Sequence, residues 1–135
     1  MKNLFGLMPG ALYGWPKNVL HHHGIENSIL DINASFRPQL AIVDGIVGME
    51  GDGPIMGKPR HGGVLVMGAN LPAVDATCAR IMGIDPHRVR YLAEAAHRLG
   101  PIYAEDIIQV GEPVASVLTN FQLLDKVPAH QGLRL

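Results

Sequence analysis

The stretch LAIVDGIVGMEGDGPIMGKPRHGGVLVMG, residues 40–68, decides the fold of this chain. Its two ends are short apolar runs, 40–43 and 64–67, and continuous runs of this kind are typical of strands buried on both faces of a sheet. The residues between them, from Gly45 to Gly63, are rich in glycine and proline and show no period. They predict a long glycine-rich loop, and a loop of that length in a compact domain is usually functional or disordered.

Predicted helices and a third predicted strand surround this stretch. Apolar residues recur mostly every three or four positions up to Phe36, which predicts a helix that begins after Gly24. Asn70 and Gly83 are candidate caps for a second helix, and Asp85 followed by a proline repeats the start signal for a third. The predicted helices lie near 25–36, 71–82, 86–99 and 113–124, and the predicted strands are 40–44, 64–67 and 107–110.

These elements predict an α/β fold in a single domain, 1–135. The second and third strands are joined through two helices, and a right-handed crossover between parallel strands is the favoured connection of that kind. We therefore expect a small, mostly parallel sheet of three or more strands flanked by helices.

Charge and cysteine content exclude several classes of protein. The chain has 11 lysines and arginines against 12 acidic residues, so no electrostatic field points to nucleic acid or to an acidic membrane surface. The single cysteine, Cys78, can form no internal disulfide, and no CxxC pair is present for zinc or an iron–sulfur cluster. No apolar stretch has the length of a membrane span. We expect a soluble cytoplasmic protein, and no cofactor is identified.

Five motifs follow one another in an order known from a protein family. They are KNLFGLMPG at 2–10, a histidine at 22 or 23, LAIVDGIVGMEGDGP at 40–54, GKPR at 57–60 and NLPAVDATCARIMGIDP at 70–86. Together they resemble the family catalogued as domain of unknown function 362, along nearly the whole chain. Members of that family generally have no assigned activity, and some carry ferredoxin-type iron–sulfur modules. The resemblance therefore implies a fold and little about function.

The resemblance also implies that the chain corresponds to the C-terminal half of the family's fold. In the family, a complete N-terminal half precedes the motif that resembles Lys2-Asn3, and none of it is present in this sequence. We therefore expect a homo-oligomer, most simply a dimer, or a separate chain that supplies the missing half. The contact is expected to involve a sheet edge or the apolar segment Leu4–Trp15, because an uncovered hydrophobic edge tends to pair or aggregate.

The glycine-rich loop is the best candidate for a ligand site. It follows a predicted buried strand, and open α/β sheets bind ligands beyond the carboxyl ends of their strands. Glycine amides can approach an anion closely, although the same glycines would also suit a purely structural loop. The candidate ligand-binding residues, on and around the loop, are Lys2, Asn3, Asp44, Gly45, Asp52, Gly53, Gly57, Arg60, His61 and Asp75.

Two of these residues, Asp44 and Asp75, are expected at one rim of the sheet. Paired carboxylates there could hold a divalent cation or act as acid and base. Equally, Asp75 could complement a helix N-terminus and Asp44 could accept N–H groups of its own turn. His22 and His23 are weak metal candidates, because adjacent side chains do not easily share one tetrahedral ion.

Three hypotheses of function remain open at this point. The first is an α/β ligand- or anion-binding half-domain with no assignable activity. The second is a metal-assisted or redox-linked enzyme fragment, by analogy with relatives fused to iron–sulfur modules. The third is a homo-oligomeric assembly module.

Overall fold

The structure is a computed structural model that describes residues 1–14 and 18–135, without the side chain of Asn18. Trp15, the end of the predicted interface segment, lies outside the described residues. The α-helices are α1 Gly10–Tyr13, α2 Asn18–His22, α3 Ile25–Ser35, α4 Leu71–Ile81 and α5 Arg90–Ala95, and the strands are β1 Ala41–Asp52 and β2 Met56–Gly68. Short 3-10 helices occupy Lys2–Leu7, Pro86–Arg88, Ala104–Asp106, Val114–Ser116 and Pro128–His130.

The sheet is a long hairpin, so the predicted parallel sheet of three or more strands is wrong. β1 and β2 pair antiparallel from Ala41 opposite Gly68 to Asp52 opposite Met56. The predicted glycine-rich loop therefore consists almost entirely of strand, and the chain reverses over residues 53–55. A continuous apolar run indicates a strand but not the partner or direction of that strand, because pairing depends on residues far along the chain.

The third predicted strand is also absent from the described sheet. Residues 107–110 belong to no strand, and the side chains of Ile108 and Val110 are 95% and 91% exposed. An apolar run of this kind needs a neighbouring strand to satisfy its backbone. Within the described residues, the hairpin ladder does not extend to it.

The hairpin bends at a β-bulge. Gly45 lies opposite Val64 and Val47 lies opposite His61, so β2 has one more residue than β1 across this step. Gly63 takes φ +69 there, a backbone conformation that glycine adopts without steric cost. The bulge explains part of the glycine content that the sequence alone assigns to a loop.

Local signals predict the helices well at some sites and poorly at others. The predictions near 25–36 and 71–82 are confirmed as α3 and α4, and Asn70 caps α4 by accepting the N–H of Ala73 at 3.0 Å. The single helix predicted over 86–99 is wrong, because a 3-10 turn follows the Asp85 cap and α5 covers only Arg90–Ala95. The helix predicted over 113–124 is reduced to the 3-10 turn Val114–Ser116.

The core lies between α3, α4, α5 and the N-terminal segment. Its buried hydrophobic residues are Met1, Phe5, Met8, Ile29, Ile32, Ala76, Ala79, Leu92, Ala95 and Ile102. Phe5 and Met8 thus pack inside this chain, although the sequence suggests an intermolecular contact for their segment. Leu7 and Leu12 of the same segment are exposed. In the described part of the chain, no helix is long and apolar enough to cross a membrane.

Candidate functional site

The predicted ligand-binding rim is spread over separate parts of the molecule. Lys2 and Asn3 are exposed on the first 3-10 helix, which packs against α3. The hairpin, which carries most of the other candidates, packs instead against α4. Ligand binding by the whole set stays a prediction, but the fold does not gather these residues around one cavity.

The two carboxylates have different partners. Asp44 is exposed on β1, where its Oδ1 accepts the N–H of Ile46 at 3.0 Å. Asp75 accepts the amino group of Met1 with Oδ1 at 3.0 Å and with Oδ2 at 3.1 Å, and it accepts the hydroxyl of Tyr91 at 3.1 Å. Asp75 therefore ties the N-terminus and α5 to α4, which is a structural role.

Burial around Asp75 changes the acidity of two neighbours. Burial, and then the negative charge of Asp75, raise the pKa of the Cys78 thiol from 9.0 to about 11. The same two causes, in the same order, raise the pKa of the Tyr91 hydroxyl. A thiol with a raised pKa is a poor nucleophile at neutral pH, so Cys78 is suited to packing rather than to covalent chemistry.

The hairpin tip is held by the C-terminal segment. Lys126 donates to Asp52 at 2.6 Å, and the N–H of Gln122 donates to Glu50 at 2.9 Å. Arg60 donates to the carbonyl of Thr119 at 2.7 Å. Asp52 and Arg60, which are both predicted site residues, thus join the hairpin to the C-terminal segment.

The glycines of the hairpin permit close packing. A β-carbon on Gly48 would lie 2.7 Å from the ring of Phe121, and one on Gly57 would lie 2.4 Å from the Met49 side chain. Gly57 and Gly45 also sit inside the antiparallel ladder. Gly53 precedes the cis proline of the turn, and His61 is exposed beside the bulge. These glycines thus have packing and pairing roles in the hairpin, and anion binding by them stays a prediction.

No group of three or more potential metal ligands is present in the parts of the chain that the structure describes. His22 and His23, the weak candidates from the sequence, are exposed at the end of α2. The structure thus identifies no metal centre among the described residues.

A better candidate is a cavity of about 240 Å³ at the N-terminus of α4, which we call the arginine pocket. Arg37, just after α3, and Arg98, just after α5, both line it. Within residues 1–14 and 18–135, neither guanidinium has a hydrogen bond or an ion pair. Leu71 and Pro72, the first residues of α4, form part of the wall, so the positive end of the helix dipole adds to the two charges.

Asn33 gives the arginine pocket a buried polar group. Its side chain is 7% exposed, and its Nδ2 donates to the carbonyls of Met1 at 3.2 Å and Ile29 at 2.7 Å. Among the described residues, its Oδ1 has no hydrogen-bond partner. A buried acceptor without a donor is costly, so a molecule with an O–H or N–H group would be stabilised beside it.

The sequence reasoning missed the arginine pocket because its residues come from three distant segments. A usable signal does exist in the sequence. Arg37 precedes Pro38, and Arg98 comes two residues before Gly100, so each arginine lies where a helical pattern stops. Combined with Asn70 as a predicted N-cap, these positions mark helix ends that a compact fold can bring together.

A second feature is an uncovered apolar surface on the base of the hairpin, which we call the outer face. Gly68 and its partner Ala41 face α4, since a β-carbon on Gly68 would lie 2.7 Å from Val74. Successive residues of a strand point to opposite faces, so their neighbours point away from α4. The outer face consists of Ile42, Asp44, Leu65 and Met67, and its three apolar side chains are 63%, 63% and 66% exposed, respectively.

Comparisons with known proteins give a family and a partial relative. The family model described as "Domain of unknown function (DUF362)" matches residues 1–80. The chain is 32% identical over 127 residues to the "Thylakoid-associated protein sll1697" of Synechocystis sp.. That match covers 91% of this chain but only 39% of the relative, so the chain spans well under half of the relative's length. No solved structure matches the chain.

Proposed function

The chain belongs to the family described as "Domain of unknown function (DUF362)", and we propose that it is a ligand-binding module that holds a small anion in the arginine pocket. The observation that carries the proposal is that Arg37 and Arg98, two exposed arginines without an acidic partner among the described residues, line one cavity. Arginine presents a planar fork of donors that matches a carboxylate or a phosphate.

The size and polarity of the arginine pocket define the ligand further. Its volume of about 240 Å³ is below the usual range of about 300–1,000 Å³ for drug-sized ligands. This volume suits inorganic phosphate or a hydroxy acid of three or four carbons. The unpartnered Oδ1 of Asn33 favours an anion that also carries a hydroxyl donor.

Isothermal titration calorimetry with phosphate and with malate tests this proposal. Each arginine contributes a charge-assisted hydrogen bond of about 1.5–3 kcal/mol, so Arg37→Gln and Arg98→Gln should each weaken binding about 10- to 100-fold. Arg90→Gln is the matched control, because Arg90 is an exposed arginine already paired with Glu26 and Glu94. No saturable binding to the native chain, or an equal loss with Arg90→Gln, would refute an anion site in this pocket.

A second candidate function is self-association through the outer face, in keeping with the assembly hypothesis. Full burial of an aliphatic or methionine side chain contributes about 1.5–3 kcal/mol, and about two thirds of each of Ile42, Leu65 and Met67 is still exposed, so covering all three contributes about 3–6 kcal/mol per copy. Association costs about 4–15 kcal/mol in lost freedom. The two copies of a twofold dimer together supply about 6–12 kcal/mol, and the largest gain against the smallest cost leaves about 8 kcal/mol, which corresponds to a dimer that forms at micromolar concentrations.

Sedimentation equilibrium at micromolar concentration tests the dimer. The double variant Ile42→Glu with Met67→Lys makes the outer face polar, and the two new charges lie directly opposite each other, so they support the hairpin. We expect the native chain to dimerise and the double variant to be a folded monomer by circular dichroism. Ile55→Glu, at the 87% exposed hairpin tip, is the control that should remain dimeric. A monomeric native chain, or a dimeric double variant, would contradict this second candidate.

Other hypotheses stay proposals. Among the described residues, no group of three or more potential metal ligands favours a metal-assisted reaction, and a redox-linked reaction stays a hypothesis from the resemblance alone. Correspondence to the C-terminal half of the family's fold is compatible with the partial match to the relative. For location, the printed name of the relative associates that protein with thylakoids, and cell fractionation of the source organism tests whether this chain is cytoplasmic.

A further inference from the structure

A cavity of about 640 Å³ lies along the free edge of β2, and we call it the edge slot. One wall is β2 itself, residues 63–68, and the opposite wall is the segment 107–111, which belongs to no helix or strand. Val74, Thr77 and Ile81 of α4 lie between the two walls. The edge slot thus lies between the free edge of β2 and a segment outside the sheet.

The β2 wall carries hydrogen-bonding groups that point into the edge slot. Pro59 lies opposite Met49 and has no N–H, so this pair is a non-hydrogen-bonded one. Hydrogen-bonded and non-hydrogen-bonded pairs alternate along β1, and Val43 lies an even number of residues before Met49. The pair of Val43 and Val66 is therefore also non-hydrogen-bonded. The N–H and C=O of Val66 thus point away from β1, towards the cavity.

The backbone of the opposite wall is also available for hydrogen bonding. Over the described residues, the backbone of 108–110 makes no hydrogen bond to another backbone group. Ile108 and Val110 are nearly fully exposed, although β-branched side chains favour the half-buried surface of a sheet. Both walls of the edge slot therefore present free backbone groups and apolar side chains.

The dimensions of the edge slot match one strand. A strand occupies about 4.8 Å by 10 Å in cross-section and about 3.3 Å per residue along its length, so 640 Å³ accommodates about four residues. Such a strand needs two free edges. The strands β1 and β2 of a second copy do not offer them, because they are already paired with each other in the hairpin.

We infer that the edge slot receives a single β-strand, one equivalent to a segment of the Synechocystis relative that lies outside the match. The match covers 39% of that relative, so the candidate segments lie in the remainder of its length. The incoming strand would be apolar on both faces, since one face meets Val74 and Ile81 and the other continues the outer face. This inference rests on neither the arginine pocket nor the dimer, because a strand at the edge leaves the outer face open to a second copy.

Synthetic peptides test the inference directly. Overlapping, fluorescently labelled peptides of about 12 residues, with terminal lysines for solubility, would cover the unmatched part of the relative. We expect saturable binding of at least one peptide by fluorescence anisotropy. Hydrogen exchange should slow at the amide of Val66 on peptide addition, whereas the amide of Leu65, which points towards β1, should already be slow and change little. Failure of every peptide to bind the native chain would overturn the inference.

Matched variants locate the bound strand. Ile108→Asp and Val110→Asp should leave the isolated chain folded, because both side chains are already exposed. Each should weaken peptide binding at least about tenfold, because the strand would bury the new charge. Ile55→Asp, at the hairpin tip, should bind as the native chain does. Peptide binding that survives both slot substitutions, or that Ile55→Asp abolishes equally, would show that the peptide binds elsewhere.

Discussion

Replacing Asp75 by Asn tests how the N-terminal segment is held on the core. The carboxylate accepts the Met1 amino group through both oxygens and the Tyr91 hydroxyl through one, and the Met1 side chain is 0% exposed. Asparagine keeps the shape but removes the charge, which leaves the ammonium uncompensated. A charge-assisted hydrogen bond contributes about 1.5–3 kcal/mol, and breaking a fully buried pair costs about 3–5 kcal/mol. For this partly buried group, we expect a loss of about 2–4 kcal/mol.

Thermal unfolding at one fixed protein concentration measures this loss. For a chain of 135 residues, an unfolding entropy of about 2.1 cal/mol/K per residue converts it to a decrease in Tm of about 7–14 °C. Asp52→Asn makes the same chemical change in the exposed pair with Lys126, which should contribute at most about 1 kcal/mol. If Asp75→Asn lowers Tm no more than Asp52→Asn does, Asp75 does not hold the N-terminal segment in solution.

Three further predictions concern Cys78, pH and one glycine. At pH 8 the raised pKa of Cys78 should make its reaction with a disulfide reagent about 100-fold slower in the folded chain than in urea, as measured by absorbance. The pKa of Cys78 is higher in the folded chain than in the unfolded chain, so its contribution to the free energy of unfolding is complete below about pH 9 and is lost as the pH rises towards 11. Denaturant midpoints should therefore fall over that interval, and the raised pKa of Tyr91 acts in the same direction. Gly83→Ala should cost about 1–3 kcal/mol in denaturant unfolding, because φ is +74 and the added β-carbon would lie 2.2 Å from Asn120, whereas Gly6→Ala meets no atom within 4 Å and should be close to neutral.

The candidate site illustrates how far sequence reasoning reaches. A glycine-rich segment with nearby charges suggests an anion loop, but the reason for each glycine lies elsewhere in the chain. Gly48 leaves room for Phe121, and Gly68 leaves room for Val74. The two arginines of the arginine pocket are 61 residues apart in the sequence and have no shared motif. Only packing of α3, α4 and α5 brings their positions to one cavity.

Local features of the sequence determined the helices α3 and α4, the strand character of the two apolar runs, and family membership. Periodicity, the Asn70 cap and the motif order act over a few residues each, so they are readable without a fold. The tertiary structure alone decided that the runs pair antiparallel, that 107–110 stays unpaired, and that Phe5 packs inward. Strand partners and burial depend on contacts between residues far apart in the chain. The cost of closing the intervening loop and the competition between possible partners decide which strands pair, and local propensity does not.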